Sequence, residues 1–299
     1  MKIMALGTGM MGEPMARLFL RAGHRVMVLP HRRREPVERL LAEGAEEIGD
    51  IRTAGGEADV VFSMLPNLPQ IDEILFERGL AGAMRAGSLF LNMSTVSPQG
   101  IRRTAERLAE RGIDVLDAPV SGGPARAADG TLTVMAGGGR EVYERYLPLL
   151  ETVGGRIFHT GPVGSGQVAK LCNNLLAAMI MAADAEVMTM GVKAGLDSRL
   201  LREIIQASTG ANRLLEDWIP NTFMRDRYEP GFALRLMLKD IGLAMQLADE
   251  TDTPMFLGGA AHQLYRMVAG RSDEDAGSDF SVISVCYQEA ARVRIAAEA

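Results

Sequence analysis

Short apolar runs alternate with helical patterns through the first half of the chain, and the second half loses the short runs. Residues 2–6, 25–29, 59–64, 88–92, 113–119, 131–136 and 156–159 read as strands. Between them Met11, Met15, Leu18 and Phe19 share one helical face, and helices are expected over 99–111 and 141–152. After Gly166 helical periodicity takes over, through 168–194, 198–208, 213–223, 234–250, 255–269 and 280–295. Residues 271–278, rich in Asp, Glu, Gly and Ser, read as a surface loop. The expected fold is an α/β, Rossmann-type doubly wound sheet followed by an all-α C-terminal domain joined to it by a long helix. The expected domains are 1–162 and 163–299.

The first strand runs into Gly7-Thr8-Gly9-Met10-Met11-Gly12, then a helix, then a second strand, within about 30 residues, the spacing of a dinucleotide-binding unit. Gly7 allows the tight turn, Gly9 lets the backbone approach a pyrophosphate, and Gly12 lets the helix pack on the strand. The helix start then offers free N–H groups to phosphate. After the second strand comes Pro30, then His31-Arg32-Arg33-Arg34, just before a helix start at Glu35-Pro36. Positive charge there opposes the helix dipole, and a 2′-phosphate would remove the conflict. NADP(H) is therefore favoured over NAD(H).

Three later strands end in polar or glycine-containing corners: Leu65-Pro66-Asn67, Ser94-Thr95 and Val120-Ser121-Gly122-Gly123. Ligands of open parallel sheets bind beyond the carboxyl ends of the strands. Ser94-Thr95 is read either as a ligand contact or as the cap of the helix after Pro98. The glycines beside Ser121 bare backbone N–H groups that can hold a carboxylate. A further glycine-rich stretch, 161–166, opens the long helix, which carries Lys170 and Asn174 four residues apart. That spacing places both side chains on one face, ahead of an uncharged turn, and suggests an ammonium held partly out of water.

Composition removes other classes of function. A net charge of −6 gives no sign of a nucleic-acid partner. The two cysteines, Cys172 and Cys286, make no disulfide framework, and neither sits in a metal-spaced cluster. No uninterrupted apolar run approaches the roughly 20 residues that span a bilayer, so no membrane partner is expected. A reducing, cytoplasmic setting fits.

Four blocks, in order, resemble the β-hydroxyacid dehydrogenase family, which includes 3-hydroxyisobutyrate dehydrogenases and tartronate-, glyoxylate- or succinic-semialdehyde reductases. They are Gly7 to Ala16, Asp117 to Gly123 with Gly130-Thr131-Leu132, Gly161 to Asn174, and Phe232 with Lys239-Asp240. The resemblance covers nearly the whole chain. It implies a hydride exchanged between a nicotinamide cofactor and a small 3-hydroxy acid or its semialdehyde, a small-molecule carboxylate. It implies Lys170 as the catalytic proton donor and acceptor, and Asn174 as a substrate-positioning residue. Ser121, Gly122 and Gly123 would grip the carboxylate, and Phe232 would sit in the substrate pocket near the nicotinamide. To the cofactor contacts already read from motif and charge (Gly7, Thr8, Gly9, Met10, Met11, Gly12, His31, Arg32 and Arg33) the resemblance adds Leu65, Pro66, Thr95 and Lys239, with Gln70 near the cofactor. Gln70 stands where relatives often have asparagine. Pro30 departs from the aspartate or asparagine usual at its position; the arginines still favour NADP(H).

Substrate choice is expected to rest on side chains drawn from Asn212, Arg213, Trp218 and Phe232, with Arg126 a second anionic contact or a solvated charge. A homodimer or homotetramer is expected from the apolar content of the helical half. Rival readings are an imine reductase of the same architecture, which Lys170 argues against, and a catalytically silent dinucleotide-binding interaction protein.

Overall fold

The computed structural model describes residues 1–29 and 33–296. It comprises two compact units, Met1–Lys170 and Leu171–Ala299, and the division falls inside one continuous helix, Ser165–Lys193.

The first unit is built on β1 (Lys2–Leu6), β2 (Arg25–Val28), β3 (Glu46–Glu47), β4 (Val60–Ser63), β5 (Leu89–Asn92), β6 (Asp114–Asp117), β7 (Val120–Ser121), β8 (Leu132–Gly137) and β9 (Gly154–Gly161). Strands β3-β2-β1-β4-β5-β6 run parallel in that order. Because β1 alternates Ile3 and Ala5 on one face with Met4 and Leu6 on the other, it feeds two cores. Phe19, Phe62 and Leu91 join the first core; Val61, Leu75 and Phe90 join the second. Both faces are covered, as the doubly wound expectation requires. The sheet is not wholly parallel: β8 turns antiparallel to β6 and β7, and β9 runs parallel to β8. The strand expected over 113–119 ends at Asp117, and Val120–Ser121, expected as part of the corner after it, form the short strand β7.

The second unit is helical. The long helix starts three residues earlier than expected and, at 29 residues, spans about 43 Å. Leu171, Leu175, Ala178, Met181, Ala185 and Met188 recur every three or four residues and are buried. Met237 and Ile241 of the helix Leu234–Glu250, with Tyr265 and Val268 of Phe256–Ala269, belong to the same core. By length and composition the long helix is apolar enough to cross a membrane. It also carries Lys170, Asn174 and a buried stripe packed within a folded core, as a core helix of a globular protein does.

Three expectations are corrected. The helix expected over 213–223 is a π-helical turn, Leu214–Trp218, followed by 3₁₀ turns at Ile219–Asn221 and Phe223–Arg225, because Pro220 lacks the N–H that would continue the ladder. The helix expected over 280–295 is a 3₁₀ turn, Phe280–Val282, then Ile283–Ala291, stopped by Arg292 at φ +54°. The surface loop at 271–278 holds a short helix, Asp273–Gly277, where Ser272 accepts from the Asp275 N–H and three acidic residues suit the positive helix end.

Asp279 ties this unit's irregular segment together. It is fully buried and accepts from Trp218 Nε1 (2.9 Å) and from the N–H groups of Gly231 (3.1 Å), Phe232 (3.1 Å) and Ser281 (3.0 Å). Asp279→Ala leaves these donors without their acceptor, so it should lower stability by about 3 kcal/mol or more in urea unfolding.

Candidate active site

The sheet order reverses at β1, between β2 and β4, and the glycine turn leaves β1 at that switch point. Gly7 takes φ +92°, and a side chain there would meet the Met64 carbonyl oxygen at 2.6 Å. A Cβ on Gly12 would collide with the Gly7 carbonyl, so only glycine lets the helix Gly12–Arg21 begin directly against the strand. Gly9 differs: a Cβ there would meet nothing within 4 Å. No side chain caps this helix, Thr8 is buried, and Met10 is exposed. Within the first turn Glu13 N–H bonds the Gly9 carbonyl (3.0 Å) and Pro14 has none, so the helix start, with the Gly12 N–H beside the open space over Gly9, is the part that fits a dinucleotide pyrophosphate. The one carboxylate in that turn, Glu13, is bound by Arg39 (2.7 Å) and Arg17 (3.0 Å), which hold it below the usual carboxylate range.

His31 and Arg32 lie outside the described residues, and Arg33 is exposed. Arg34 precedes the helix Glu35–Ala42 and donates to both oxygens of Glu47, at 2.8 and 3.0 Å. The expected conflict between arginine charge and helix dipole is thus resolved at Arg34 within the protein, by a residue of β3.

The carboxyl ends of β1, β4, β5 and β6 share one edge of the sheet. Leu65 is half-buried and Pro66 exposed just past β4; Asn67 caps the next helix by accepting from the N–H of Gln70, which is exposed. The cap of the Pro98–Ala109 helix is Ser97, not Ser94 or Thr95. Ser121 ends β7, followed by Gly122 at φ +141° and Gly123 at φ +72°. The stem of Arg126 lies over Gly122, whereas Gly123 faces open space.

The most densely hydrogen-bonded part of this edge is the start of the long helix. Asp117, at the end of β6, is fully buried; its Oδ1 accepts from Gly164 N–H at 2.6 Å and its Oδ2 from Gln167 N–H at 3.0 Å. Burial pushes its carboxyl up to about 7, and these two bonds oppose the rise. Gln167, also fully buried, accepts from Val96 N–H (2.9 Å) and donates to the Ser94 carbonyl (3.1 Å). Lys170 follows one turn later and is only 8% exposed, which excludes a solvated surface lysine.

In the second unit Asn174 is 4% exposed and its amide donates to Asp240 at 2.6 Å. Asp240 is buried and ion-paired with Lys239 at 2.8 Å. Phe232 is half-buried, edge-on to Phe280, and its N–H is held by Asp279. The other side chains named for substrate choice have partners within this unit. Asn212 donates to Asp184 (3.0 Å), Trp218 donates to Asp279, and Arg213 pairs with Asp217 (2.9 Å) at the surface.

Sequence reasoning attached no task to Asp117, Gln167 or Asp240. The available signal was a lone acidic residue ending the apolar run at Val115-Leu116, and an amide one turn before Lys170.

Sheet order, glycine turn and uncapped helix start define a dinucleotide-binding α/β unit. Residues 2–161 match the family model described as the NAD binding domain of 6-phosphogluconate dehydrogenase. Residues 164–285 match that described as the NAD-binding of NADP-dependent 3-hydroxyisobutyrate dehydrogenase. The chain is 41% identical to a Pseudomonas aeruginosa NAD-dependent L-serine dehydrogenase, over 96% of this chain and 97% of that protein. It is 39% identical to a 3-hydroxyisobutyrate dehydrogenase of the same organism, over 95% and 97%. Among solved structures, Mycobacterium tuberculosis 3-hydroxyisobutyrate dehydrogenase with L-serine superimposes with a TM-score of 0.87 at 33% identity, over 95% of this chain and 98% of that one. The chain belongs to the β-hydroxyacid dehydrogenase family.

Asp117 also makes stability depend on pH. In the unfolded chain its proton leaves near pH 3.9, whereas the folded chain keeps it to about 7. The stabilisation from this group is complete below the lower value and is lost as pH rises through the upper one. Thermal melting should show the advantage of wild type over Asp117→Asn shrinking between about pH 4 and 7.

Proposed function

We propose that the protein catalyses reversible oxidation of a small 3-hydroxy acid of the HOCH₂–CHX–COO⁻ type to its semialdehyde. L-Serine and 3-hydroxyisobutyrate are the first substrates to test, and the semialdehydes of the wider family follow. The observation that carries this reading is the burial of Lys170 and Asn174, four residues apart on one helix.

A nicotinamide dinucleotide bound at the glycine turn supplies or takes the hydride. In reduction the Lys170 ammonium donates a proton to the carbonyl oxygen and stabilises the negative charge building there. In oxidation the neutral Lys170 amine takes the hydroxyl proton. Asn174, its amide fixed by Asp240, orients the substrate oxygen. Ser121 and the N–H groups of Gly122 and Gly123 bind the carboxylate, which sets the distance of the reacting carbon; such positioning supplies several kcal/mol. Thr8, Leu65, Pro66, Gln70, Thr95 and Lys239 are assigned to the cofactor. NADP(H) is the preferred form in this reading. With Arg34 committed to Glu47, the 2′-phosphate falls to Arg33 and its neighbours, and exposed Arg33 supports that role.

Lys170→Ala should lower kcat by about two to four orders of magnitude while still binding cofactor. Oxidation by wild type should rise with pH and reduction fall, and Lys170→Arg should change both profiles. Identical profiles for wild type and Lys170→Arg would remove Lys170 from the proton transfer. The assays should cover L-serine, 3-hydroxyisobutyrate and short semialdehydes, each with both cofactors. Arg33→Ala should shift the ratio of kcat/KM for NADP over NAD toward NAD by about tenfold; an unmoved ratio rejects that assignment.

A further inference from the structure

Most capped helices of this chain are capped by the residue just before them. Asp50, Asn67, Ser97, Asp197 and Ser272 each accept from an N–H two or three positions on. Such a cap satisfies the helix but says nothing about where the helix sits. The long helix is different. The N–H of Gly164, just before its first residue, and the N–H of Gln167, in its first turn, both go to Asp117, 47 and 50 positions earlier in the chain, at the end of a central strand. The same turn is tied a second time through the Gln167 side chain, 71 and 73 positions from Val96 and Ser94.

The backbones also touch. A Cβ on Gly166 would lie 2.7 Å from the Asp117 carbonyl oxygen, and a Cβ on Gly137 would lie 2.9 Å from Gly166 N. Two glycines therefore let the helix start rest directly on β6 and β8. Lys170 follows Gln167 by three residues, so its Cα moves with the pinned turn.

We propose that Asp117 and Gln167 are positioning residues for Lys170, clamping the first turn of its helix to the carboxyl edge of the sheet so that the ammonium meets the substrate oxygen. This rests on the reading of Lys170 as proton donor and acceptor. A lysine stem has four rotatable carbons, so its placement depends on the backbone that carries it. A displacement of about 1 Å can cost about a hundredfold in rate.

The test is a double-mutant cycle on the full-length enzyme. Asp117→Asn keeps the size but turns an N–H₂ toward one of the two backbone donors. Alone it should lower kcat about 10- to 100-fold, with the cofactor Kd within about threefold of wild type. In a Lys170→Ala background the same substitution should change the residual kcat by less than about threefold, because a residue that acts only through Lys170 has nothing left to position. An equal loss in both backgrounds overturns the proposal, as does an unchanged kcat in folded Asp117→Asn. If Asp117→Asn does not fold, Gln167→Met, which keeps the length and removes both side-chain bonds, enters the same cycle under the same criteria. Failure of the underlying reading looks different: Lys170→Ala would then keep wild-type kcat.

Discussion

A carboxyl group taken out of water at the end of β6 sets the geometry of this protein's first unit. Asp117 accepts from the Gly164 and Gln167 N–H groups, the orphan donors that any helix start presents. Burial disfavours its charge, and the two donors recover part of that cost, which is why its carboxyl settles at about 7. Asn92 and Ser63 stand beside Asp117 in register on neighbouring strands, both buried, so the sheet ends in a polar row. Asn92 holds the Ser94 carbonyl, which Gln167 also holds. The corner after β5 and the start of the long helix are thereby fixed by one connected set of bonds.

Buried acids organise the second unit in the same way. A carboxylate is acceptor-only and has about four lone-pair sites, so it can gather donors from segments that cannot pair among themselves. Asp279 does this for the irregular stretch around Trp218 and Phe232. Asp240 does it for Asn174 and Lys239. The residues assigned to chemistry are thus held from behind by acids that need not touch a substrate.

Charge at the nucleotide edge is largely settled within the protein. Glu13 is bound by two arginines and Arg34 by Glu47. Among the described residues, this leaves for a ligand the uncapped helix start, the open space over Gly9 and exposed Arg33. That is a small set of features, and it suits a phosphate-rich cofactor bound mainly through backbone.

Much of this was legible in the chain itself. Strand positions in the first half follow from apolar runs that the sheet buries on both faces, and the turn after β1 follows from glycine spacing, with Gly7 and Gly12 the two positions where a side chain would collide. The long helix and the Lys170–Asn174 spacing follow from periodicity, because local patterns carry local structure. The π and 3₁₀ turns between 214 and 225 were not legible: their apolar spacing mimics a helix, and Pro220 with the Asp279 anchor decides otherwise. The sequence by itself determined the fold class and the family, because both rest on local patterns and motif order. Only the tertiary structure decided that Lys170 is buried and that Asp117, some 50 positions away, holds its helix, because such bonds join groups distant in sequence and leave no periodic trace.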